Sequence, residues 1–363
     1  MERELAEFQN PPNGFKDDIE IEDRLGDEDV LPFQYSISSY GVDFDIAGLV
    51  RRLKEGDIVL PSFQRGYVWE ISRASQFVES LLLGLPVPGI FLSTVESNQK
   101  LLVVDGSQRL RTLKMFYEND LELIDVQKQF LGLTYSSLQP TDRRRLDNSI
   151  LHATVVRQED PSDDNSSVYF VFRRLNTGAM PLKPQEIRAA IYGGLFNQFL
   201  DEVNSNPIWR DLYGKSSPDQ RRRDQEMILR FFALYFYSQD YARPMEDFLN
   251  RYMVKNRNLQ FQSKVELLRI FENTIEVIQK CLGKKAFRLR GPLNVALFDA
   301  VMVGVAKRLQ NKGDIPSCDS LNGQYTKLLA DQTFVDAITK ATATEEHVKQ
   351  RIERGIRYFA DVE

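Results

Sequence analysis

Residues Leu101–Leu110, with the sequence LLVVDGSQRL, decide how the first half of this chain folds. The apolar run predicts a strand that leads into Asp105, and a helix opens directly after it. Gly106 permits the tight turn between the two elements, because glycine tolerates backbone angles that other residues avoid. Ser107 has the side chain of a helix N-cap and is predicted in that role. The stretch therefore indicates a strand, a glycine turn and a helix in immediate succession.

Such a turn is suited to binding an anion. Free backbone N–H groups and the positive end of the helix dipole face the same point. Arg109, in the first helical turn, can form two parallel hydrogen bonds to a phosphate. Asp105 cannot bind phosphate directly, but it can hold Mg²⁺, orient a water molecule or fix Arg109. A purely structural role, in which Asp105 complements the helix dipole, stays open at this point.

The segments around this turn alternate between short strands and helices. Apolar spacing, capping residues and glycine stops set their predicted bounds. The predicted helices are 45–55, one capped by Ser72 that ends at Gly84, the one after Gly106 and one capped by Thr141; the predicted strands are 58–60, 89–94, 101–104 and 150–156, with a turn at 97–99.

Beyond a polar loop at residues 160–165 the pattern is almost wholly helical. The predicted helices are 168–175 with a stop at Gly178, one that starts at Pro184, and four near 224–238, 263–281, 293–310 and 344–358. The aromatic run Phe231–Tyr237 has helical spacing and is predicted to be core rather than a surface for stacking bases. The fold class is therefore predicted to be α+β in front and all-α behind.

The composition is typical of a soluble globular protein. The chain has 363 residues, of which 42% are apolar and 27% charged, and a net charge of −5. Residues 1–30 carry eleven acidic and three basic side chains, so residues 1–34 are predicted to be a flexible acidic arm, either a solvated tail or a cover for a basic groove. No apolar run reaches the roughly 18 residues needed to cross a bilayer, and the acidic start is unlike a secretory signal. A cytoplasmic protein without a membrane partner is expected.

The cysteine and histidine content excludes several classes of site. Cys281 and Cys318 cannot form a disulfide framework or a four-cysteine zinc site and are predicted to be buried small apolar residues. His152 lies in an apolar strand and is predicted to pack in the core, whereas His347 is predicted to be exposed. Two distant histidines are too few for a His-Asn-His nuclease, an H-E-x-x-H protease or a histidine-rich phosphohydrolase. A carboxylate site for two cations stays open.

Two other segments group polar and aromatic side chains near predicted breaks in the secondary structure. Residues 60–69, LPSFQRGYVW, place a Gln, an Arg and three aromatic rings on a strand-to-helix connection, where the rings can wall a pocket. Residues 172–178, FRRLNTG, and 181–188, PLKPQEIR, span a helix break. There Asn176 and Thr177 offer hydrogen bonds, and Glu186 sits in a first helical turn. Each segment alone also fits a packed turn or a simple helix stop.

Taken together and in this order, the motifs Q-R-x-Y-x-W, D-G-S-Q-R-L and F-R-R-L-N-T-G with L-K-P-Q-E-I-R resemble the N-terminal domain of the GmrSD-type restriction endonucleases. Those modification-dependent systems are directed at glucosylated phage DNA. The resemblance runs from about Asp45 to Arg188. A more distant similarity, carried by Gly106, Arg109 and the spacing from Asn176 to Glu186, is to the ParB/sulfiredoxin-like fold.

The resemblance implies a ParB/sulfiredoxin-like nucleotide-binding domain at residues 35–190, after the acidic arm at 1–34, and leaves a helical domain at 191–363. It also implies a nucleoside triphosphate with Mg²⁺ as the ligand, and hydrolysis in which Asp105 and Arg109 are catalytic and Asp105 is the candidate Mg²⁺ ligand. The implied nucleotide-binding residues are Gln64, Arg65, Tyr67, Trp69, Gly106, Ser107, Gln108, Arg109, Arg173, Arg174, Asn176, Thr177 and Glu186.

Two departures from the family pattern bear on activity. The family usually reads D-G-Q-Q-R, whereas this chain has Ser107 in the third position, a shorter side chain that still donates and accepts hydrogen bonds. Nucleotide binding can survive this change while turnover falls. The E-N-x-x-R segment with which ParB binds phosphate and Mg²⁺ has Leu175 in place of its Glu and Ala179 in place of its Arg, which weakens the expectation of a metal there.

The resemblance also implies partners. Only one histidine follows residue 152, so a His-Asn-His nuclease module is expected on a separate subunit, with this chain as a sensor or regulator in phage defence. Candidate DNA contacts, which equally fit solvated helix faces, are Arg143, Arg144, Arg145, Arg221, Arg222, Arg223, Lys284, Lys285, Arg288 and Arg290. Two other interpretations stay open: a nucleotide-switched DNA- or protein-binding module that does not hydrolyse, and a ParB-fold nuclease that acts on DNA directly.

Overall fold

The computed structural model describes residues 19–20, 36–60, 67, 69–95, 100–160, 166–175 and 182–363. The chain forms two compact units: an N-terminal unit, Leu31–Asn197 with Met253–Asn258, and a helical unit, Met1–Val30 with Gln198–Tyr252 and Leu259–Glu363. Of the predicted acidic arm only the short strand β1 (Ile19–Glu20) is described. The rest of the arm, the predicted turn at 97–99 and the helix stop at Gly178 lie outside the described residues. No helix in the described part is long and apolar enough to span a membrane.

A five-stranded mixed sheet forms the centre of the N-terminal unit. Its strands are β2 (Ser36–Asp45), β3 (Ile58–Val59), β4 (Ile90–Val95), β5 (Lys100–Asp105) and β6 (Ile150–Asp160), in the order β2-β6-β4-β5-β3. The pairs β2–β6 and β4–β5 are antiparallel, and β6–β4 and β5–β3 are parallel. The sequence predicts β3 to β6. It misses β2 because only the second half of that strand, from Tyr40, alternates apolar and polar residues.

Helices cover both faces of this sheet. They are α1 (Ile46–Glu55), α2 (Ile71–Leu82), α3 (Ser107–Tyr117), α4 (Pro140–Asp147), α5 (Ser166–Leu175) and α6 (Pro184–Ile191). Helices α1 to α4 share one core with the sheet, in which Leu49, Leu82, Leu113 and Leu146 are fully buried. Helix α5 contacts β5 and β6, and strand alternation places Val156, which is outside that core, on the opposite face. The fold class is α+β, as predicted.

The N-caps of three helices show where the sequence predicted boundaries well and where it did not. Asp45 caps α1, as its Oδ1 accepts a hydrogen bond from the backbone N–H of Gly48 at 2.7 Å. The predicted caps Ser72 and Thr141 are wrong, because Glu70 and Gln139 take the extended conformation that precedes α2 and α4. Neither of these two residues makes a side-chain capping bond, so nothing in the side-chain chemistry marked them.

A tyrosine pair ties the end of α3 to α4. The rings of Tyr117 and Tyr135 stack with centroids 4.2 Å apart, and both hydroxyls donate to Asp147, at 2.7 and 3.0 Å to its Oδ1. Burial, followed by the hydrogen bond to the neighbouring carboxylate, raises the pKa of Tyr117. Both phenols therefore stay protonated donors at neutral pH, and the carboxylate holds the two helices together.

The helical unit is built from long amphipathic or buried helices. Four predicted helices are confirmed as α9, α11, α12 and α15, and the shorter ones were not predicted; the full set from residue 195 onward is α7 (Leu195–Asn204), α8 (Pro207–Tyr213), α9 (Arg223–Tyr237), α10 (Met245–Asn256), α11 (Lys264–Cys281), α12 (Val295–Lys312), α13 (Cys318–Ala330), α14 (Gln332–Thr339) and α15 (Glu345–Ala360). The strand β7 (Leu293–Asn294) pairs with β1 in parallel. Phe231, Phe232 and Leu234 are fully buried, so the aromatic run of α9 is core, as predicted.

Two guanidinium groups share one buried carboxylate in this unit. Arg230 on α9 donates from Nη2 to Asp299 Oδ2 at 2.6 Å and from Nε to Oδ1 at 3.1 Å. Arg351 on α15 donates to the same Oδ2 at 2.8 Å and also to the carbonyl of Thr342. Because Asp299 lies on α12, the carboxylate links three helices, and all three charged side chains are almost fully buried.

Helices α12 and α15 approach closely through two glycines. A Cβ on Gly304 would lie 2.6 Å from the carbonyl oxygen of Gly355, and a Cβ on Gly355 would lie 2.5 Å from the carbonyl oxygen of Ala300. Real side chains do not tolerate such distances to backbone. The absence of both side chains therefore sets the distance between the two helices.

The two cysteines form a disulfide between the end of α11 and the start of α13. Both are half-buried, so the prediction of buried, apolar cysteines is wrong. Asn322 Nδ2 donates to the backbone carbonyls of Cys281 and Cys318, at 2.9 and 2.8 Å. A multi-disulfide framework was excluded on the cysteine count, but a count of two cannot exclude one bond between residues that the fold brings together.

A short segment from late in the chain completes the N-terminal unit. Met253–Asn258 belongs to this unit although some 55 residues of the helical unit precede it. The backbone N–H of Phe196 donates to the carbonyl of Arg257 at 3.1 Å, and Arg257 Nε donates to the carbonyl of Gly193 at 2.8 Å. This strap holds the chain directly after α6.

Candidate functional site

The turn after β5 has the geometry that the sequence predicts, with one change. Strand β5 ends at Asp105, Gly106 has φ +97°, and α3 starts at Ser107. A Cβ on Gly106 would clash with Ile90, with its Cβ only 3.0 Å away, so the position requires glycine for both backbone and space. The prediction of Ser107 as N-cap is wrong, because Gly106 occupies the cap position and no side chain caps α3. The Ser107 hydroxyl is therefore not committed to the helix end.

Arg109 is clamped at the start of α3. Its Nη2 donates to Asp105 Oδ2 at 2.8 Å and to the carbonyl oxygen of Gly89 at 3.0 Å. The arginine side chain is only 15% exposed, whereas that of Asp105 is 49% exposed. Arg109 Nε is buried without a hydrogen-bond partner among the described residues. The guanidinium is thus fixed in place with donors to spare, beside the N–H groups of the first helical turn.

A β-bulge decides which way Asp105 faces. Leu92 pairs with Val103 but Phe91 pairs with Asp105, so Val104 is the extra residue in β5. A bulge places two residues opposite one, which brings Asp105 to the sheet face of Phe91 rather than to the core face of Leu92. Phe91 in turn pairs with Thr154 of β6. Asp105 and Thr154 therefore share the face opposite the main core.

The first motif reaches α3 through its tyrosine. Tyr67 Oη and Thr112 Oγ1 are 2.9 Å apart, and Thr112 Oγ1 donates to the carbonyl of Gln108 at 2.8 Å. Burial raises the pKa of Tyr67. The ring of Trp69 packs edge-on against Phe77 with centroids 5.8 Å apart, and Arg73 lies 4.8 Å above it. The first and second motifs therefore meet at α3, while Gln64 and Arg65 lie outside the described residues.

The third motif is only partly described. Arg173 is half-buried and Arg174 exposed on the last turn of α5, and Asn176 and Thr177 lie outside the described residues. Glu186 is buried, and its Oε2 accepts the backbone N–H of Lys183 at 2.6 Å, which closes the first turn of α6. The Glu186 carboxylate therefore stabilises the start of α6.

The first arginine run contacts its own unit. Arg143 donates to the carbonyl of Ser136, and its guanidinium lies 5.2 Å from the centre of the Tyr135 ring. Arg145 Nη1 donates to the carbonyl of Leu82 at 3.3 Å, at the end of α2. Arg144 is exposed. Only part of this run therefore presents its charge to solvent.

The two later basic clusters are also engaged within the helical unit. Arg222 pairs with Asp201 at 3.1 Å and Arg223 with Asp219 at 3.0 Å, and Asp219 Oδ1 accepts the backbone N–H of Arg221. Lys284 pairs with Asp211 at 2.6 Å, and Arg288 donates to the carbonyls of Leu212 and Tyr213. These contacts give the clusters a structural use, and DNA contact stays a prediction.

His152 is the polar residue that sequence reasoning misplaced. The prediction of a packed core histidine is wrong, because its side chain is 60% exposed and its Nδ1 lies 2.8 Å from Asp43 Oδ1. Asp43 and His152 are directly paired across β2 and β6. His347, predicted to be exposed, is half-buried, and its Nδ1 donates to the carbonyl of Lys340 at 2.7 Å.

Comparison with known proteins identifies the first unit. No curated protein matches the chain. Within the described residues, no three His, Cys, Asp or Glu side chains are grouped as a metal site would require. Residues 46–193 match the family model of the GmrSD restriction endonuclease, N-terminal domain, and they contain all three motifs, the clamped Arg109 and four of the five strands of the sheet. This segment of the chain is a GmrSD-type N-terminal domain.

Proposed function

We propose that the N-terminal unit binds a nucleoside triphosphate with Mg²⁺ and hydrolyses it, as the sensor or regulatory part of a DNA restriction system whose nuclease is a separate subunit. The observation that carries the proposal is the fixed guanidinium of Arg109 beside the start of α3. The match of residues 46–193 to a restriction endonuclease family supports the wider role.

Phosphate binding is the first requirement. A triphosphate carries close to four negative charges, and the start of α3 offers the N–H groups and dipole that favour them. Arg109 adds a cation that does not need to be ordered on binding, because Asp105 and Gly89 already hold it. Arg65 and one of Arg173 or Arg174 are the proposed further donors. Each charge-assisted hydrogen bond contributes about 1.5–3 kcal/mol.

Mg²⁺ fits this site as a companion of the phosphates. Asp105 uses one carboxylate oxygen for Arg109, and its other oxygen makes no hydrogen bond within the described part of the chain. Mg²⁺ keeps several waters and is commonly held by one or two carboxylates together with substrate phosphates. We therefore assign Asp105 to the cation and to fixing Arg109, by the positioning logic of phosphoryl transfer. The bound cation would neutralise charge on the phosphates.

The remaining motif residues have proposed supporting roles. Tyr67 contacts α3 and Trp69 packs against α2, and both rings are proposed to wall the base. Gln64, Asn176, Thr177 and Gln108 are proposed polar contacts. We propose a ParB/sulfiredoxin-like arrangement for this unit, on the order of the three motifs along the chain.

A nucleotide switch without turnover is the second candidate. The ion pair with Arg109 occupies one oxygen of Asp105, which lowers its capacity to organise a cation and water together. Ser107 replaces the usual Gln and is shorter, so it reaches less far toward a γ-phosphate. Such a switch would change conformation on binding and act on a DNA or protein partner.

The experiment that tests the proposal measures phosphate release from ATP, GTP, CTP and UTP with Mg²⁺, with and without modified DNA. Arg109→Ala is expected to abolish release and to weaken nucleotide binding, because it removes the fixed cation. Lys114→Ala is the matched control: it removes one positive charge from the exposed face of the same helix and should leave both quantities unchanged.

The outcomes separate the two candidates. Release that disappears in Arg109→Ala but not in Lys114→Ala supports an NTPase, and stimulation by modified DNA supports a sensor. Nucleotide binding without release supports the switch. If neither binding nor release is found with any of the four nucleotides, both candidates fail.

A further inference from the structure

Asp43 and His152 form an exposed pair on the sheet face opposite the main core. The carboxylate oxygen Oδ1 lies 2.8 Å from Nδ1 of the imidazole. A Cβ on Gly41, the residue two before Asp43, would lie 2.9 Å from His152 Cε1, so the missing side chain leaves room for the ring to lie across β2. The imidazole is thus held in one orientation by a carboxylate and a glycine.

This arrangement fixes the tautomer of the neutral histidine. An ionised carboxylate can only accept hydrogen bonds. In the neutral histidine, Nδ1 must therefore carry the hydrogen and donate the hydrogen bond to Asp43. The lone pair then lies on Nε2, which makes no hydrogen bond within the described residues. A histidine oriented in this way by a carboxylate has the form of a general base.

The pair lies on the same sheet face as Asp105. The register runs from Asp105 to Phe91 on β4 and from Phe91 to Thr154 on β6, and His152 is two residues from Thr154 on the same face. Two strand spacings of about 4.8 Å and two steps of about 3.3 Å put the Cα atoms of Asp105 and His152 about 12 Å apart. Two side chains with a phosphate group between them can bridge that span.

Gly89 connects the two clusters more directly. Its carbonyl accepts the hydrogen bond from Arg109, and a Cβ on it would lie only 2.8 Å from the carbonyl oxygen of His152. The guanidinium of Arg109 and the backbone of His152 therefore both lie beside Gly89. A phosphate bound by Arg109 would therefore lie one strand away from the backbone of His152.

We propose that His152 is the general base of the hydrolysis, with Asp43 as its positioning residue; this rests on the proposed NTPase function. Nε2 of His152 takes a proton from the attacking water as its oxygen bonds to the γ-phosphorus. The bond between that phosphorus and the β–γ bridging oxygen breaks, and the electron pair leaves with the nucleoside diphosphate. The imidazolium then returns its proton to solvent.

The charged groups around His152 define the pH behaviour that is expected. Asp43 faces it from β2, Asp105 and Arg109 face the same end of the sheet, and α5, which packs on this face, carries Arg173 and Arg174. Protonation of His152 would remove the base, so the turnover rate falls on the acid side of the profile.

The test compares His152→Gln and Asp43→Asn with the wild type in phosphate release from pH 5 to 9, alongside nucleotide affinity by calorimetry. His152→Gln is expected to lower kcat at least about 100-fold and to abolish the acid limb, while affinity stays within about threefold. Asp43→Asn is expected to lower kcat by about tenfold, because it misorients the ring without removing it. His347→Gln is the control, since that histidine bonds a helix end in the helical unit.

Each result supports or overturns the assignment. The assignment is wrong if His152→Gln keeps the wild-type kcat, keeps the acid limb of the pH profile, or lowers kcat no more than His347→Gln does. The NTPase proposal stands in each of these cases. If affinity falls in step with kcat, His152 binds substrate and is not the base. If the wild type releases no phosphate from any nucleotide, the proposed function fails and the base assignment fails with it.

Discussion

At the scale of single residues, Gly106 is where a substitution tests the site most directly. Gly106→Ala is expected to lower the free energy of unfolding by more than about 2 kcal/mol, because φ +97° alone costs a side chain about 1–2 kcal/mol and the new Cβ also meets Ile90. Urea denaturation of the variant measures the change.

Gly84→Ala provides the control that separates strain from collision. Gly84 also has positive φ, at +71°, but nothing lies within 4 Å of the Cβ it would gain. Gly84→Ala should therefore lower the free energy of unfolding only by the cost of a side chain at positive φ. Equal losses in the two variants would show that Ile90 does not restrict the turn.

The local structure and contacts of a residue could be predicted from the sequence where they depend on its neighbours along the chain. The strand, glycine turn and helix around Gly106 follow from local propensity, and so does the proximity of Asp105 to Arg109, four residues later. His152 was not predictable in the same way. Its neighbours Leu151 and Ala153 are core residues, but strand alternation turns His152 to the other face, and sequence does not tell which part of that face stays open.

At the scale of elements, the contact between α12 and α15 depends on two missing side chains. Gly355→Ala is expected to destabilise the protein by about 1–3 kcal/mol, because the Cβ would collide with the backbone of α12 at Ala300 and the helices must separate. The measurement is the urea midpoint at constant m-value.

Gly323→Ala should have the opposite sign. Gly323 lies within α13 with nothing within 4 Å of a new Cβ, so the change removes only the helix penalty of glycine and should stabilise by about 0.5–1 kcal/mol. If Gly355→Ala and Gly323→Ala both destabilise the protein, the proposed role of Gly355 in the contact between α12 and α15 is contradicted.

Elements with strong apolar periodicity were predicted within a few residues, as α9, α11, α12 and α15 show. Their ends were less predictable, since Glu70, Gly106 and Gln139 precede helices without any capping side chain. Strand β2 was not predicted because only its second half, from Tyr40, alternates apolar and polar residues. Register was not predictable at all, and the bulge that turns Asp105 to the open face is a matter of register.

At the scale of the whole molecule, the buried carboxylate of Asp299 holds three helices of the helical unit together. Asp299→Asn is expected to lower the stability of this unit by about 3–5 kcal/mol, because Arg230 and Arg351 would be left buried without their counter-charge. Thermal unfolding followed by circular dichroism measures the loss.

Asp336→Asn is the matched control for Asp299. Asp336 on α14 pairs with Lys340, the residue directly after that helix, and the pair is exposed to solvent. Asp336→Asn should therefore lower the stability much less than Asp299→Asn does. Similar losses in both variants would show that the buried network adds little to stability.

Contacts between residues that lie far apart along the chain could not be predicted from the sequence. Asp299 meets residues 69 positions before it and 52 after it, and Cys281 meets Cys318 across 37 positions. A single sequence shows these residues only as isolated polar side chains. Their partners emerge only when the helices are placed in space.

The strap Met253–Asn258 has a consequence for how this module can be transferred between proteins. The family match ends at residue 193, where Gly193 and the nearby Phe196 are bonded to Arg257 from a distant part of the sequence. A gene fragment that stops there would encode the motifs but not the last piece of their scaffold. The first unit is therefore not a contiguous cassette, and recombination that exchanges it intact must carry a short stretch of the downstream coding sequence as well.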